Sequence, residues 1–171
     1  MNVFDFAMQM EVDGKAYYLQ LARESEQPGL KTIFMRLAED EQKHYEIFRV
    51  LKGGGPTPTM QDSLSLKGAR TIFEDLLAQP EKGTPIKGDI AAYRHAMKLE
   101  AASYRFYEEA AAKEQRGVVK QLLLRVAEEE HQHFTVLENV YQFVNAPNQY
   151  LAWGEFSNLE EFHQFGRDDD V

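Results

Sequence analysis

No cysteine occurs among the 171 residues. That absence excludes disulfides, thiolate zinc sites, thiol catalysis and Cys-ligated iron–sulfur centres within the chain, so any electron-transfer role needs an outside donor. Positive charge is also short, with 19 Lys and Arg against 28 Asp and Glu and a formal charge of -9. A phosphate-binding surface requires a concentrated excess of cations, and nucleic acid is therefore not an expected partner. Long apolar runs are missing as well. Met1-Asn2-Val3-Phe4-Asp5 has no basic stretch, and Glu11, Asp13 and Lys15 interrupt the apolar positions that follow. Neither a signal peptide nor a membrane span is expected, and a cytoplasmic address is the default expectation.

What is present is helical periodicity in a chain long enough to bury about 70% of the surface its unfolded form exposes. Phe4, Met8, Val12, Ala16, Leu19 and Ala22 suggest a first helix over 3–26. After Pro28-Gly29, the positions Ile33, Phe34, Leu37, Ala38, Tyr45, Phe48 and Leu51 give a second helix over about 30–52, ended by Gly53-Gly54-Gly55-Pro56. Asp89 is a plausible N-cap for a third long helix over about 90–114, with Ala92, Ala96, Leu99, Ser103, Phe106, Tyr107 and Ala110 on or near one face. A fourth, over about 118–145, carries Val119, Leu122, Leu123, Val126, Ala127, Phe134, Leu137 and Tyr141.

Connection lengths set the topology. The breaks near 27–29 and 115–117 are short and force antiparallel neighbours, whereas residues 53–88 form a long crossover with one short helix near 64–79, where Leu64, Ile72, Phe73, Leu76 and Leu77 would dock. A helix of about 24 residues is roughly 36 Å long, which such a crossover can traverse, so the second and third long helices can run parallel. The expected architecture is all-α: a four-helix bundle over 1–146 followed by a C-terminal tail, 147–171. That tail carries Trp153, Phe156, Phe162 and Phe165, and a capping box, Ser157-Asn158-Leu159-Glu160, that would open a short last helix.

Two peptides carry the chemistry, Glu41-Gln42-Lys43-His44 and Glu130-His131-Gln132-His133. Each follows a single acid, Glu11 or Glu100, by thirty residues, and every member of the second set lies 89 residues after its counterpart. The same offset pairs Ala7 with Ala96, Met8 with Met97, Tyr18 with Tyr107, Arg36 with Arg125 and Glu39 with Glu128, which marks a duplicated helical hairpin. Residues i and i+3 share a helix face, so each Glu-x-x-His offers a carboxylate and an imidazole to one point. Thirty residues down one helix and back along the next return to the same level. Six side chains, Glu11, Glu41, His44, Glu100, Glu130 and His133, are thereby expected to converge.

Four carboxylates and two imidazoles suit two divalent ions of five- or six-fold coordination, with Glu41 and Glu130 bridging, and they favour iron or manganese over closed tetrahedral zinc. Two such cations also cancel four carboxylate charges that would repel strongly inside a bundle. Tyr18 and Tyr107 fall two turns after Glu11 and Glu100, where a phenol can hydrogen-bond a ligand carboxylate or a bound oxygen species. A lone Glu-x-x-His is more often a solvated face, but Phe34, Leu37, Ala38 and Phe48 share the side of Glu41, and Leu123, Val126, Ala127 and Leu137 that of Glu130. Glu128, Glu129 and His131 are expected to face solvent. His95 and His163 have no repeat partner and read as structural or surface residues, and Glu155, Glu160 and Glu161 as a solvated turn.

Taken together, Glu11-Val12-Asp13-Gly14-Lys15-Ala16-Tyr17-Tyr18, Ala38-Glu39-Asp40-Glu41-Gln42-Lys43-His44, Glu100-Ala101-Ala102-Ser103-Tyr104-Arg105-Phe106-Tyr107 and Ala127-Glu128-Glu129-Glu130-His131-Gln132-His133 resemble the ferritin-like di-iron superfamily, and within it the rubrerythrin-like proteins. The resemblance covers about residues 3–145. It implies two irons held by the six residues above, replaceable by manganese or zinc, and redox chemistry with hydrogen peroxide or dioxygen. It also implies an external electron donor, a rubredoxin-like protein or flavoprotein reductase, and a homodimer in which helical hairpins are sometimes exchanged. Ser103 stands where peroxide-reducing relatives have a second Glu, so a ligand exchange through that acid does not occur here in the same form. The leading expectation is a di-iron peroxidase; the alternative from another class is a ferroxidase or iron-storage protein, and the plainest is a metal-free helical interaction protein.

Overall fold

The computed structural model describes residues 2–78 and 88–145. The tail with its aromatics, its capping box, His163 and its acids lies outside these residues. Among the described residues five helices are formed: α1 (Val3–Glu24), α2 (Pro28–Lys52), α3 (Ser65–Leu77), α4 (Ile90–Lys113) and α5 (Gly117–Asn145). The described part is all-α.

Local chemistry fixes most of the ends. Asn2 opens α1 by accepting from the Phe4 N–H at 3.2 Å, while Asp5 accepts from the Asn2 N–H at 3.3 Å, which completes a capping box. Pro28, read in the sequence as part of a break, occupies the first turn of α2, where its missing N–H costs nothing. Gln27 caps that helix by accepting from the Leu30 N–H at 2.8 Å. Asp89 caps α4 as expected, accepting from the Ala92 N–H at 2.9 Å. Gly54, at φ +71°, turns the chain out of α2 in the left-handed region that glycine adopts without strain.

Contacts between helix ends establish the directions. Lys52 pairs with Asp5, and Phe4 lies against Phe48 and beneath the Arg116 guanidinium, so the start of α1, the end of α2 and the α4–α5 turn share one end of the bundle. At the opposite end Phe34 stacks on Tyr93, and the Tyr17 hydroxyl donates to the Ala92 carbonyl at 3.0 Å. Helices α2 and α4 therefore run parallel, joined by the long crossover. Within it α3 docks through Phe73, whose ring meets Phe143 edge-on at 5.1 Å.

The core has two apolar blocks with a polar layer between them. Phe4, Phe48 and Tyr107 stack on one side, with centroid separations of 6.4 and 5.2 Å, while Leu30, Phe34 and Tyr93 fill the other. Each large side chain buried this way contributes about 1.5–3 kcal/mol. That apolar packing holds the helices together around a layer that, by itself, repels.

Several expected faces are corrected. Val12 is 46% exposed and Leu99 39%, because Glu11 and Glu100 take the inward positions that an apolar-only reading assigned to their neighbours. Leu64, expected to dock, is 70% exposed at the start of α3. Glu129 and His131, expected in solvent, are buried. Glu129 is covered by the crossover, whose Ser63 N–H donates to its Oε1, and His131 by the Tyr104 ring of α4, while the face of α5 carrying Leu124, Arg125 and Glu128 stays in water. Glu128 and His95 are exposed as expected, His95 lying edge-on to Tyr17.

Candidate metal centre

Glu11, Glu41, His44, Glu100, Glu130 and His133 are all buried, at 0–3% exposure, in the polar layer. Their ligand atoms form two groups. Glu11, Glu41, His44 and Glu130 make one, and Glu41, Glu100, Glu130 and His133 the other, with the atoms of each group within 4.8 Å of one another. His44 Nδ1 lies 3.0 Å from Glu130 Oε1 and 3.4 Å from Glu11 Oε2; His133 Nδ1 lies 3.2 Å from Glu41 Oε1 and 3.7 Å from Glu100 Oε2. Ligands about 2.1 Å from a common ion are separated by about 3 Å when adjacent and about 4.2 Å when opposed, and these spacings fall in that range. Glu41 and Glu130 belong to both groups, the placement of bridging carboxylates.

Each of the six residues also presents to this layer a buried atom without a hydrogen-bond partner: Glu11 Oε2, Glu41 Oε1, His44 Nδ1, Glu100 Oε2, Glu130 Oε1 and His133 Nδ1, with His133 Nε2 a second on that ring. Buried polar atoms are rarely left unsatisfied, because each costs on the order of 1–3 kcal/mol. Six of them aimed into one layer fit a pair of cations.

The opposite atoms of Glu11, Glu100, His44 and His133 face groups of the other hairpin. Tyr18 donates to Glu100 Oε1, and Tyr107 to Glu11 Oε1. His44 Nε2 lies 3.0 Å from Glu129 Oε2, and His133 Nε2 lies 3.4 Å from Asp40 Oδ2. An imidazole that presents Nδ1 as a lone pair carries its hydrogen on Nε2, and a carboxylate there fixes both tautomer and ring angle. Asp40 further accepts from Lys43 Nζ at 2.7 Å and from the hydroxyls of Ser63 and Ser65. Asp40 and Glu129 escaped the sequence reading, although both precede a ligand Glu by one residue, precede a ligand His by four, and obey the 89-residue offset.

Electrostatics follow from the crowding. Burial, reinforced by the Glu41 charge, pushes the Glu11 carboxyl up to about 8. Burial and then the charges of Glu100 and Glu11 raise Glu130. For His44 and His133 burial favours the neutral ring, but the surrounding carboxylates outweigh it and carry both well above the usual imidazole range. Burial, with Glu11 and Glu130 behind it, raises the Tyr107 phenol, which keeps its proton and remains a donor. Asp40 is the exception: burial opposes its ionisation, yet His133, Lys43 and Ser63 hold its carboxyl well below the normal range.

A pocket of about 150 Å³ opens between α1 and α4 and reaches Glu41, Glu100 and Glu130. Its walls are largely Met10, Tyr17, Ala96, Leu99 and Ala102. Gly14 and Ser103, related by the repeat, stand beside the acids, and a Cβ at Gly14 would lie 3.3 Å from Glu41 Oε2.

A helical bundle in which two hairpins each contribute a Glu and a Glu-x-x-His to one layer defines the ferritin-like class. Within that class the chain belongs to the rubrerythrin family, whose family model matches residues 2–141. No curated protein and no solved structure gave a match. Among the described residues no helix is long and apolar enough to cross a membrane.

Proposed function

We propose that this chain is a non-haem di-iron oxidoreductase that reduces hydrogen peroxide, or dioxygen, with electrons from an external protein or flavoprotein donor. The observation that carries the reading is the set of six unpartnered buried ligand atoms, divided between two groups that share Glu41 and Glu130. Glu11 and His44 would hold one iron terminally and Glu100 and His133 the other. When bound, two ferrous ions supply one electron each, which with two protons converts one peroxide into two waters.

The chain's own groups prepare the site for that chemistry. Tyr18 and Tyr107 orient the terminal carboxylates, and Glu129 and Asp40 fix the histidine rings. The pocket between α1 and α4 admits a small neutral oxidant along mostly apolar walls, and Ser103 is part of its lining. Both hairpins of a single chain complete the six-residue set, and we place the working unit in a homodimer in the cytoplasm.

Stopped-flow mixing of the reduced, iron-loaded protein separates these readings. Oxidation by peroxide faster than by air supports the peroxidase, and air oxidation at an equal or greater rate removes it. A cage-sized particle on size-exclusion chromatography, with catalytic oxidation of added ferrous ion, would establish storage instead.

A further inference from the structure

Among the described residues, the side chains around the site come from the four long helices, with Ser63 and Ser65 the exceptions. Ser63 lies in the crossover just before α3, outside the duplicated hairpins. Its backbone N–H donates to Glu129 Oε1 at 2.8 Å, and its hydroxyl donates to Asp40 Oδ2 at 2.5 Å. Glu129 uses its other oxygen on His44 Nε2, and Asp40 Oδ2 faces His133 Nε2. One residue thus touches both carboxylates that set the two histidine rings. The Ser63 hydroxyl is itself aimed, since its oxygen accepts from the Ser65 N–H at 3.0 Å.

The hairpin repeat supplies two equivalent halves, but this clasp is asymmetric. It grips the His133 side through a hydroxyl and the His44 side through the main chain. We infer that Ser63 is a positioning residue shared by both metal sites, which ties the crossover to the centre so that loading the metals fixes this strap and losing them frees it. The inference rests on the proposed metal centre. Glu129 has one oxygen on the strap and the other on the His44 ring, while Asp40 meets both the Ser63 hydroxyl and the His133 ring with Oδ2, so either carboxylate passes a tilt of its ring to the strap. Freezing Ser63 limits that tilt for both rings at once.

Cobalt(II) is a suitable probe, because its visible bands and the shifted imidazole N–H resonances of its ligands report ring geometry without turnover. The unaltered protein is expected to take two cobalt ions per chain. Ser63→Ala should weaken the His133-side ion by roughly tenfold, the low end of what loss of such outer contacts costs. The same change should speed solvent exchange of the His133 Nε2 proton while leaving that of His44 within about threefold, since the main-chain bond to Glu129 is retained. Ser63→Thr, which keeps the hydroxyl, should restore both readouts. In the unaltered protein, hydrogen exchange at the Ser63 amide should slow by at least about tenfold on metal loading, a measurement that does not depend on any variant folding. Fewer than two cobalt ions in the unaltered protein overturns the metal centre and this inference with it. Two ions with an unchanged Ser63 amide, or with Ser63→Ala matching the unaltered protein, overturns the shared strap alone.

Discussion

Stripping the metal should make stability fall as pH rises, the reverse of ordinary acid denaturation. In the metal-free protein Glu11 titrates near 8 when folded, against 4.5 for a free glutamate. The folded state therefore binds more protons than the unfolded state between those values, and stability present below pH 4.5 is lost as pH rises towards 8. A shift of that size corresponds to on the order of 5 kcal/mol, a large part of the 5–15 kcal/mol that stabilises a typical domain. Glu130, His44 and His133 are shifted in the same direction and reinforce the trend. Because the four groups share one field, their contributions are not summed. Asp40 and Glu114 move the opposite way, but both lose their contribution only in acid, below the window at issue. The assay is urea unfolding of chelator-treated protein followed by far-UV dichroism at about pH 5.5, 7 and 8.5. Apo stability should decline by several kcal/mol across that series, whereas metal-loaded protein should hold or gain, since protons compete with cations for the same atoms. An apo protein whose unfolding free energy is flat or climbs over this range would refute the reasoning, for it would mean that the acids are not crowded.

Three other outcomes follow from named contacts. Tyr18→Phe and Tyr107→Phe each leave a ligand oxygen without its donor, and each should weaken metal binding about 10-fold or more, measured by competition with a chromogenic chelator, with the two variants alike in size. Gly14→Ala narrows the α1–α4 pocket beside Glu41, so azide affinity for the oxidised protein should drop and the apparent KM for peroxide climb several-fold, while Gly14→Val, which presses on that ligand, should lower iron content as well. Phe34→Ala opens a cavity at a fully buried position away from the ligands and should cost about 3–5 kcal/mol in urea unfolding without changing metal stoichiometry.

Much of this architecture was legible because two periodicities overlap. The 3.6-residue spacing placed the four long helices to within a few residues, and the 89-residue offset identified the six convergent side chains before any geometry was known. The lengths of the connections correctly implied parallel α2 and α4. What escaped had a common origin: the inner layer is polar. A reading that sends apolar groups inward and acids outward misassigned Val12, Leu99 and Glu129 for the same reason, namely that the interior at this level is reserved for ligands and for the groups that orient them. His131 was missed because its covering comes from a remote segment, with the Tyr104 ring edge-on at 6.0 Å. Ser63 carries no pattern at all in the sequence. Its role arises from where the crossover happens to pass.

The exchange of partners between halves limits how this molecule can change. Tyr18 serves Glu100 and Tyr107 serves Glu11; Glu129 serves His44 and Asp40 serves His133. A lone hairpin holds one terminal acid, one ligand imidazole and one phenol, yet lacks these partners for all three. An ancestral single hairpin could have worked only by meeting a second copy of itself, and once the two were fused, neither was free to drift alone. Substitutions at these positions are accordingly expected to arrive in matched sets spanning the two halves.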